Sequence, residues 1–164
     1  QQDGISLFQD RNIGSVEIEG AEVSSNWYLS DQWRLRASLA YIKGDNQTAD
    51  LPLDSVDPLT AVVGLRYDNS LQNWGGEVIV TAVDKKDRVS SADVVSADSY
   101  LTTDLIAFYK LNDSAMLRFG AFNLFDEEYA RWTNLSGLPV TNIEAIENSF
   151  QPGFNFRLGF TYDF

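Results

Sequence analysis

The chain has 164 residues, a formal net charge of −12, and neither cysteine nor histidine. Without cysteine it has no thiolate metal centre, and without histidine it lacks the commonest general base and haem ligand. The acidic balance argues against a nucleic-acid partner, and no run approaches the roughly 18 apolar residues of a spanning helix.

That last exclusion leaves room for a β-barrel, whose strands dilute apolar residues one to one with polar ones. The absence of cysteine suits export through an oxidising compartment. The sequence starts Gln1-Gln2, has Met116 as its sole methionine and shows no signal peptide. That pattern is expected of a processed or excised chain.

Seven strands are predicted in chain order. The first, residues 13–29, is irregular in phase; its second half sets Ala21, Val23, Trp27 and Leu29 against Glu22. After a tight turn at Ser30-Asp31-Gln32, Trp33, Leu35, Ala37, Leu39 and Tyr41 alternate with Arg34, Arg36 and Ser38. Residues 44–58 form a long polar connection. The third strand, 59–67, alternates Leu59, Ala61, Val63, Leu65 and Tyr67 with Thr60, Val62, Gly64 and Arg66.

A short Asn- and Asp-rich turn over 68–73 leads to the fourth strand, 74–84, where Val78, Val80 and Ala82 oppose Glu77, Ile79 and Thr81. Residues 85–99 are a charged, serine-rich connection. The fifth strand, 101–109, sets Leu101, Thr103, Leu105, Ala107 and Tyr109 against Thr102, Asp104, Ile106 and Phe108. A turn at 111–114 precedes the sixth, where Leu117, Phe119 and Ala121 oppose Arg118 and Gly120. The longest connection covers 126–153. The terminal strand, 154–164, then places Phe154, Phe156, Leu158, Phe160, Tyr162 and Phe164 on one face, with Asn155, Arg157, Gly159, Thr161 and Asp163 on the other.

A period of two with one apolar face is the mark of a strand between two different media. Five aromatics on one face suit contact with lipid, with rings collecting at the membrane interface. The connections alternate short and long, as in an outer-membrane meander with tight periplasmic turns and extended outer loops. The short turns share an edge with Phe164, which makes that edge periplasmic. The lumen face then collects Arg34, Arg36, Arg66, Arg118 and Arg157 with Glu22, Glu77 and Asp104. Opposite charges on adjacent strands are expected to form ladders there. The alternative is a soluble antiparallel sheet with a solvated polar face and its aromatics buried inside.

Bacterial single-chain barrels have even strand numbers. An odd count that begins on the outer side therefore predicts residues 1–164 to be the C-terminal portion of a larger barrel. A self-contained small barrel, acting as adhesin or anchor, would need an eighth strand within residues 1–12, where Ile5, Leu7 and Phe8 alternate weakly. The two edge strands of a seven-strand piece must be closed by something, because lipid does not satisfy bare backbone groups.

Specific motifs narrow the choice. Phe122-Asn123-Leu124-Phe125-Asp126-Glu127-Glu128-Tyr129 resembles the "NLFD–x–x–Y" stretch near the end of TonB-dependent outer-membrane receptors. Gln151-Pro152-Gly153-Phe154-Asn155-Phe156 resembles the "PGRNF" approach to their last strand, with Phe154 in place of the family's arginine. Pro52-Leu53-Asp54-Ser55-Val56-Asp57-Pro58, followed by Gly64-Leu65-Arg66-Tyr67, is similar to the "PLDSIDP…GLRY" segment of the haem and haemoglobin receptor branch. Tyr129-Ala130-Arg131-Trp132, running to Ser136-Gly137-Leu138, resembles that branch's "YWxW…GL" loop, with Ala130 replacing its first Trp.

The resemblance implies a barrel of roughly 22 strands with a plugged lumen, energised by an inner-membrane complex acting on the plug. It implies uptake of an iron source, haem or haemoglobin-derived haem first and a siderophore second, with a host haem protein as partner. The haem or iron chelate is then transported cargo of the full receptor, not a cofactor held by this segment. Tyr129, Trp132, Asp54 and Asp57 become candidate ligand contacts on the outer loops. If the cargo is haem, its axial ligands are expected elsewhere in the full receptor, because this chain has no histidine; tyrosine also ligates haem iron, which leaves Tyr129 as the alternative. Phe156, Phe160, Tyr162 and Phe164 look like the signal read by the barrel-assembly machinery. Asn123, Asp126 and Pro152-Gly153 also suit a purely architectural role as turn and cap residues.

No enzyme is expected, because neither a Ser-His-Asp arrangement nor another nucleophile and base pair is present. No metal site is assigned, since no stretch matches a twelve-residue calcium loop.

Overall fold

A computed structural model describes residues 14–164; the weak alternation at Ile5, Leu7 and Phe8 lies outside them. The elements are β1 (Val16–Tyr28), β2 (Trp33–Asn46), β3 (Leu51–Pro52), β4 (Thr60–Asp68), β5 (Trp74–Val83), β6 (Tyr100–Lys110), β7 (Ala115–Phe122), α1 (Trp132–Leu135), α2 (Ile143–Glu147) and β8 (Asn155–Tyr162). The seven long strands form one antiparallel sheet in chain order, with β3 appended to β2. Among the described residues β1 and β8 are each paired on one side only, so the sheet is an open section of barrel wall.

Register shows how the alternation becomes two faces. One row across all seven long strands runs Trp27, Leu35, Leu65, Val78, Leu105, Ala121, Phe156. The neighbouring row, on the opposite face, runs Tyr28, Arg34, Arg66, Glu77, Ile106, Gly120, Arg157. Nothing among the described residues covers the apolar face: Phe156, Leu158, Phe160 and Tyr162 are 55–74% exposed. A soluble sandwich would have buried these rings; here they stand free, as a lipid-facing surface requires.

At the end of the short turns, Trp33 packs on Tyr67 with ring centroids 4.9 Å apart, and Tyr67 on Trp74 at 5.1 Å. Trp74 lies opposite Tyr109 in the register. This row of amphipathic rings is the girdle expected where hydrocarbon gives way to water.

One expectation needs correction, and another finds its cause. The connection predicted over residues 44–58 is shorter, because β2 continues to Asn46 and Leu51–Pro52 adds the short strand β3. The irregular phase of the first strand also has a physical cause. Beyond Tyr41 the β1–β2 hairpin keeps its pleat but inverts its chemistry. Ile18, Ile42 and Gly44 now lie on the lumen side, while Glu17, Glu19, Lys43 and Asp45 lie on the outward side. Lys43 Nζ pairs with Asp45 at 3.1 Å and Glu19 at 3.7 Å, and Arg88 reaches Asp45 at 2.6 Å. Above the hydrocarbon the outward face meets water, so it carries charge. The inward side there packs under a loop: a Cβ at Gly44 would stand 2.9 Å from both Leu53 and Val56.

Candidate functional site: the outer loops and the lumen face

The three long connections, residues 47–59, 84–99 and 123–154, all emerge at the same end of the sheet and bind one another. Asp54 is their meeting point. Its main-chain carbonyl accepts from Trp132 Nε1 at 2.8 Å and from Ser136 Oγ at 2.9 Å. Its carboxylate accepts from the Ser90 N–H at 2.8 Å and from the Ser90 hydroxyl. Lys86 donates to the Leu53 carbonyl at 3.3 Å and lies 5.5 Å from the centre of the Trp132 ring. Trp132, Leu135, Ala97 and Ala130 form a small core beneath. Backbone bonds from Val95 to Leu138 and from Val140 to Asp93, both 2.9 Å, tie the second loop to the third. The result is one packed cap, not three separate loops. Lys86 is buried within it, and that burial lowers its pKa against the opposing pull of Asp54.

The two motifs flanking the third loop interlock. Asn123 is buried and adopts φ 51°, Asp126 φ 56°, a region Asn and Asp enter more readily than other side chains. Asn123 Nδ2 donates to Glu127 O at 2.8 Å and to Pro152 O at 3.3 Å, while its Oδ1 accepts from Glu127 N at 2.9 Å. Asp126 Oδ1 accepts from Phe154 N at 2.7 Å. A side chain at Gly153 would occupy the place of that carboxylate. These residues join the exit of β7 to the start of β8, an architectural task.

The candidate contact residues are thus differently placed. Trp132 is 4% exposed and sits inside the cap rather than at its surface, while Asp54 is spent on inter-loop bonds. Asp57 is exposed, and Tyr129 stacks on Tyr100 with centroids 4.3 Å apart. Asp57, Tyr129 and an edge of Trp132 share one recess of about 350 Å³ with Tyr100, Asp104 and Arg131. It opens at the outer end of the lumen face, directly below the cap. Tyr100 and Arg131 carried no signal in the sequence, because only the fold brings a strand start and a loop together.

The predicted lumen residues share one face, but their charges do not pair as adjacent-strand ladders. Arg66 and Glu77 face each other in register, yet Arg66 makes a two-pronged bond to Asp68 on its own strand, both contacts 2.7 Å. Glu77 pairs instead with Arg36 at 2.7 Å, two strands away. Gly64 stands between them, and a Cβ there would lie 2.5 Å from Glu77 Oε1 and 2.6 Å from Arg36 Nε. Glycine keeps that passage open. Asp104 accepts from the Asn123 N–H at 2.8 Å. Arg118 donates to Thr161 at 3.0 Å, Arg34 lies over Tyr28 at 5.0 Å and Arg157 over Phe122 at 5.5 Å. None of these last three makes an ion pair among the described residues. Glu22 faces the same side from β1 and is exposed.

Comparison with known proteins is consistent with this geometry. Residues 1–124 match the family model described as TonB dependent receptor-like, beta-barrel. The hemoglobin and hemoglobin-haptoglobin-binding protein of Haemophilus ducreyi is 27% identical across 93% of this chain, which corresponds to 20% of its own length. Hemoglobin-binding protein A of Haemophilus influenzae is 24% identical across 96% of the chain and 18% of its length. Among solved structures, the copper transporter OprC superposes with a TM-score of 0.80 at 26% identity, covering 91% of this chain and 24% of that one. The chain therefore spans about a fifth of the relatives it matches.

Proposed function

The chain belongs to the TonB-dependent receptor-like β-barrel family, and from that premise we propose that it is the C-terminal wall segment of a receptor for energy-dependent uptake of haem drawn from haemoglobin. Barrels of this family lie in the outer membrane of Gram-negative bacteria, which suits the apolar outward face of this sheet. The observation that carries the haem reading is that relatives named for binding haemoglobin align along more than nine-tenths of the chain. The fold alone does not choose a cargo, since a copper transporter shares it.

In this reading Tyr129 and Asp57, at the mouth of the outer recess, meet the incoming ligand, and Trp132 with Asp54 holds the cap in shape around it. A rigid, preorganised cap suits docking of a host haem protein, because less ordering entropy is lost on binding. A plug fills the lumen and passes the pull of the inner-membrane complex. Phe156, Phe160, Tyr162 and Phe164 form the terminal surface presented to lipid and to the assembly machinery.

The test is nutritional. The full receptor carrying this segment, expressed in an iron-starved bacterium unable to make haem, is expected to restore growth on haemoglobin. Growth restored only by a ferric siderophore or by copper-dependent rescue, with none on haemoglobin, overturns the haem assignment.

A further inference from the structure

The outward face carries a shallow depression of about 490 Å³ where the wall runs up into the outer loops. Its floor follows from the register. Ala61 of β4 lies between Leu39 of β2 and Ala82 of β5, and Ala82 lies opposite Leu101 of β6. This row therefore runs Leu, Ala, Ala, Leu across four neighbouring strands. Two alanines side by side, at about 4.8 Å per strand, leave a trough between leucine ridges. The strands beneath it, β4 to β6, are paired on both sides, and the trough faces away from the lumen. Neither a neighbouring strand nor the plug reaches it; lipid covers this face.

The upper rim of the trough is acidic. Asp84 stands across from Leu59, to whose carbonyl its N–H donates at 2.9 Å. Glu127 reaches the same depression from the third loop. Neither carboxylate makes an ion pair among the described residues, and the adjacent cation, Lys85, is taken by Asp87 at 2.7 Å. A carboxylate at the edge of hydrocarbon without a partner is costly, and two of them draw a cation.

We propose that this depression binds one phospholipid with a primary-amine headgroup, of the phosphatidylethanolamine class. An acyl chain lies along Ala61 and Ala82 between the leucine ridges, and the protonated amine sits between Asp84 and Glu127. The rim selects the headgroup. A purely anionic head would bring phosphate against two carboxylates, while an ammonium gains charge-assisted bonds, strengthened by the low dielectric of the hydrocarbon beside it. The lipid also has a structural consequence. Asp84 begins the second loop and Glu127 lies near the start of the third, so one amine ties the roots of both loops where they leave the wall.

The experiment loads the purified full receptor in detergent with phosphatidylethanolamine or with phosphatidylglycerol of identical acyl chains, and counts bound lipid by native mass spectrometry. The quantity read is the lipid retained by the parent beyond that retained by each variant. The parent is expected to hold one such phosphatidylethanolamine at a concentration about tenfold or more below that needed for phosphatidylglycerol, as the loss of a charge-assisted contact implies. Asp84→Asn with Glu127→Gln should abolish that preference and leave phosphatidylglycerol retention unchanged or higher. Ala61→Leu with Ala82→Leu fills the trough with side chains lipid tolerates, and should release phosphatidylethanolamine although the acidic rim is intact. Equal retention of the two lipids by the parent overturns the proposal. So does a preference that survives in the Asn/Gln variant, or phosphatidylethanolamine held as tightly by the leucine variant as by the parent.

Discussion

Trp132→Ala is expected to unlock the outer cap while leaving the barrel wall folded. Trp132 is 4% exposed, and truncating a buried Trp to alanine costs roughly 3–5 kcal/mol. The loss is concentrated in one place, because the same side chain donates to Asp54 O, sits beneath Lys86 and fills the centre of the Ala97–Ala130–Leu135 cluster. The strands contribute nothing to that cluster, so the change acts on local opening and not on global unfolding. Cleavage by protease added to intact cells should rise roughly a hundredfold or more within residues 84–99 and 123–154, at about 1.4 kcal/mol per factor of ten. Trp132→Phe, which refills much of the core but lacks the indole donor, should fall between. Wild-type protease resistance in the alanine variant would show that the loops are held by something other than this hub.

Asn123→Ala is the second large effect, and it should act on the wall. Alanine removes two donations and one acceptance at a site 4% exposed; the half-buried Glu127 backbone groups lose their partner, at about 1–3 kcal/mol, while water can take the exposed Pro152 carbonyl. It must also hold φ 51°, which disfavours a residue with a Cβ by roughly 1–2 kcal/mol. The combined cost should lower the urea midpoint of the detergent-solubilised receptor and reduce the amount reaching the membrane. Asn123→Gly removes only the backbone part and should recover a fraction of the loss. An alanine variant with an unchanged midpoint would mean that the junction of β7 and β8 does not depend on this side chain.

The wall was legible in the sequence because hydrocarbon enforces a strict period of two. From Trp33 to Tyr41 and from Phe156 to Tyr162 every second residue is Phe, Trp, Tyr, Leu or Ala, and the register places them on one face. The signal failed where its cause stops. Past Tyr41 the β1–β2 hairpin inverts the chemistry of its two faces, since water has replaced lipid outside, and Gly44–Asn46 resembles a polar loop. Pairing of charges was not legible either. Glu77 finds Arg36 across an intervening strand only because Gly64 has no side chain, and register is a property of the fold. Of the candidate contacts, Trp132 and Asp54 carried a motif without an address: loop sequence names residues but not which loops meet. The burial of Lys86 was hidden in a charged Lys-Lys-Asp-Arg run that looks solvated.

The central claim is that the apolar face of this sheet meets lipid and the arginine face does not. These 164 residues have no cysteine; in the full receptor in liposomes, with any cysteines outside them replaced by serine, single cysteines can be placed along β8, at Phe156, Leu158, Phe160 and Tyr162 and at Asn155, Arg157, Gly159 and Thr161, and each spin-labelled. Collision rates with dissolved oxygen, which concentrates in hydrocarbon, should alternate with a period of two, high at the even positions and low at the odd ones. Even positions as shielded as a protein interior, with no alternation, would contradict it.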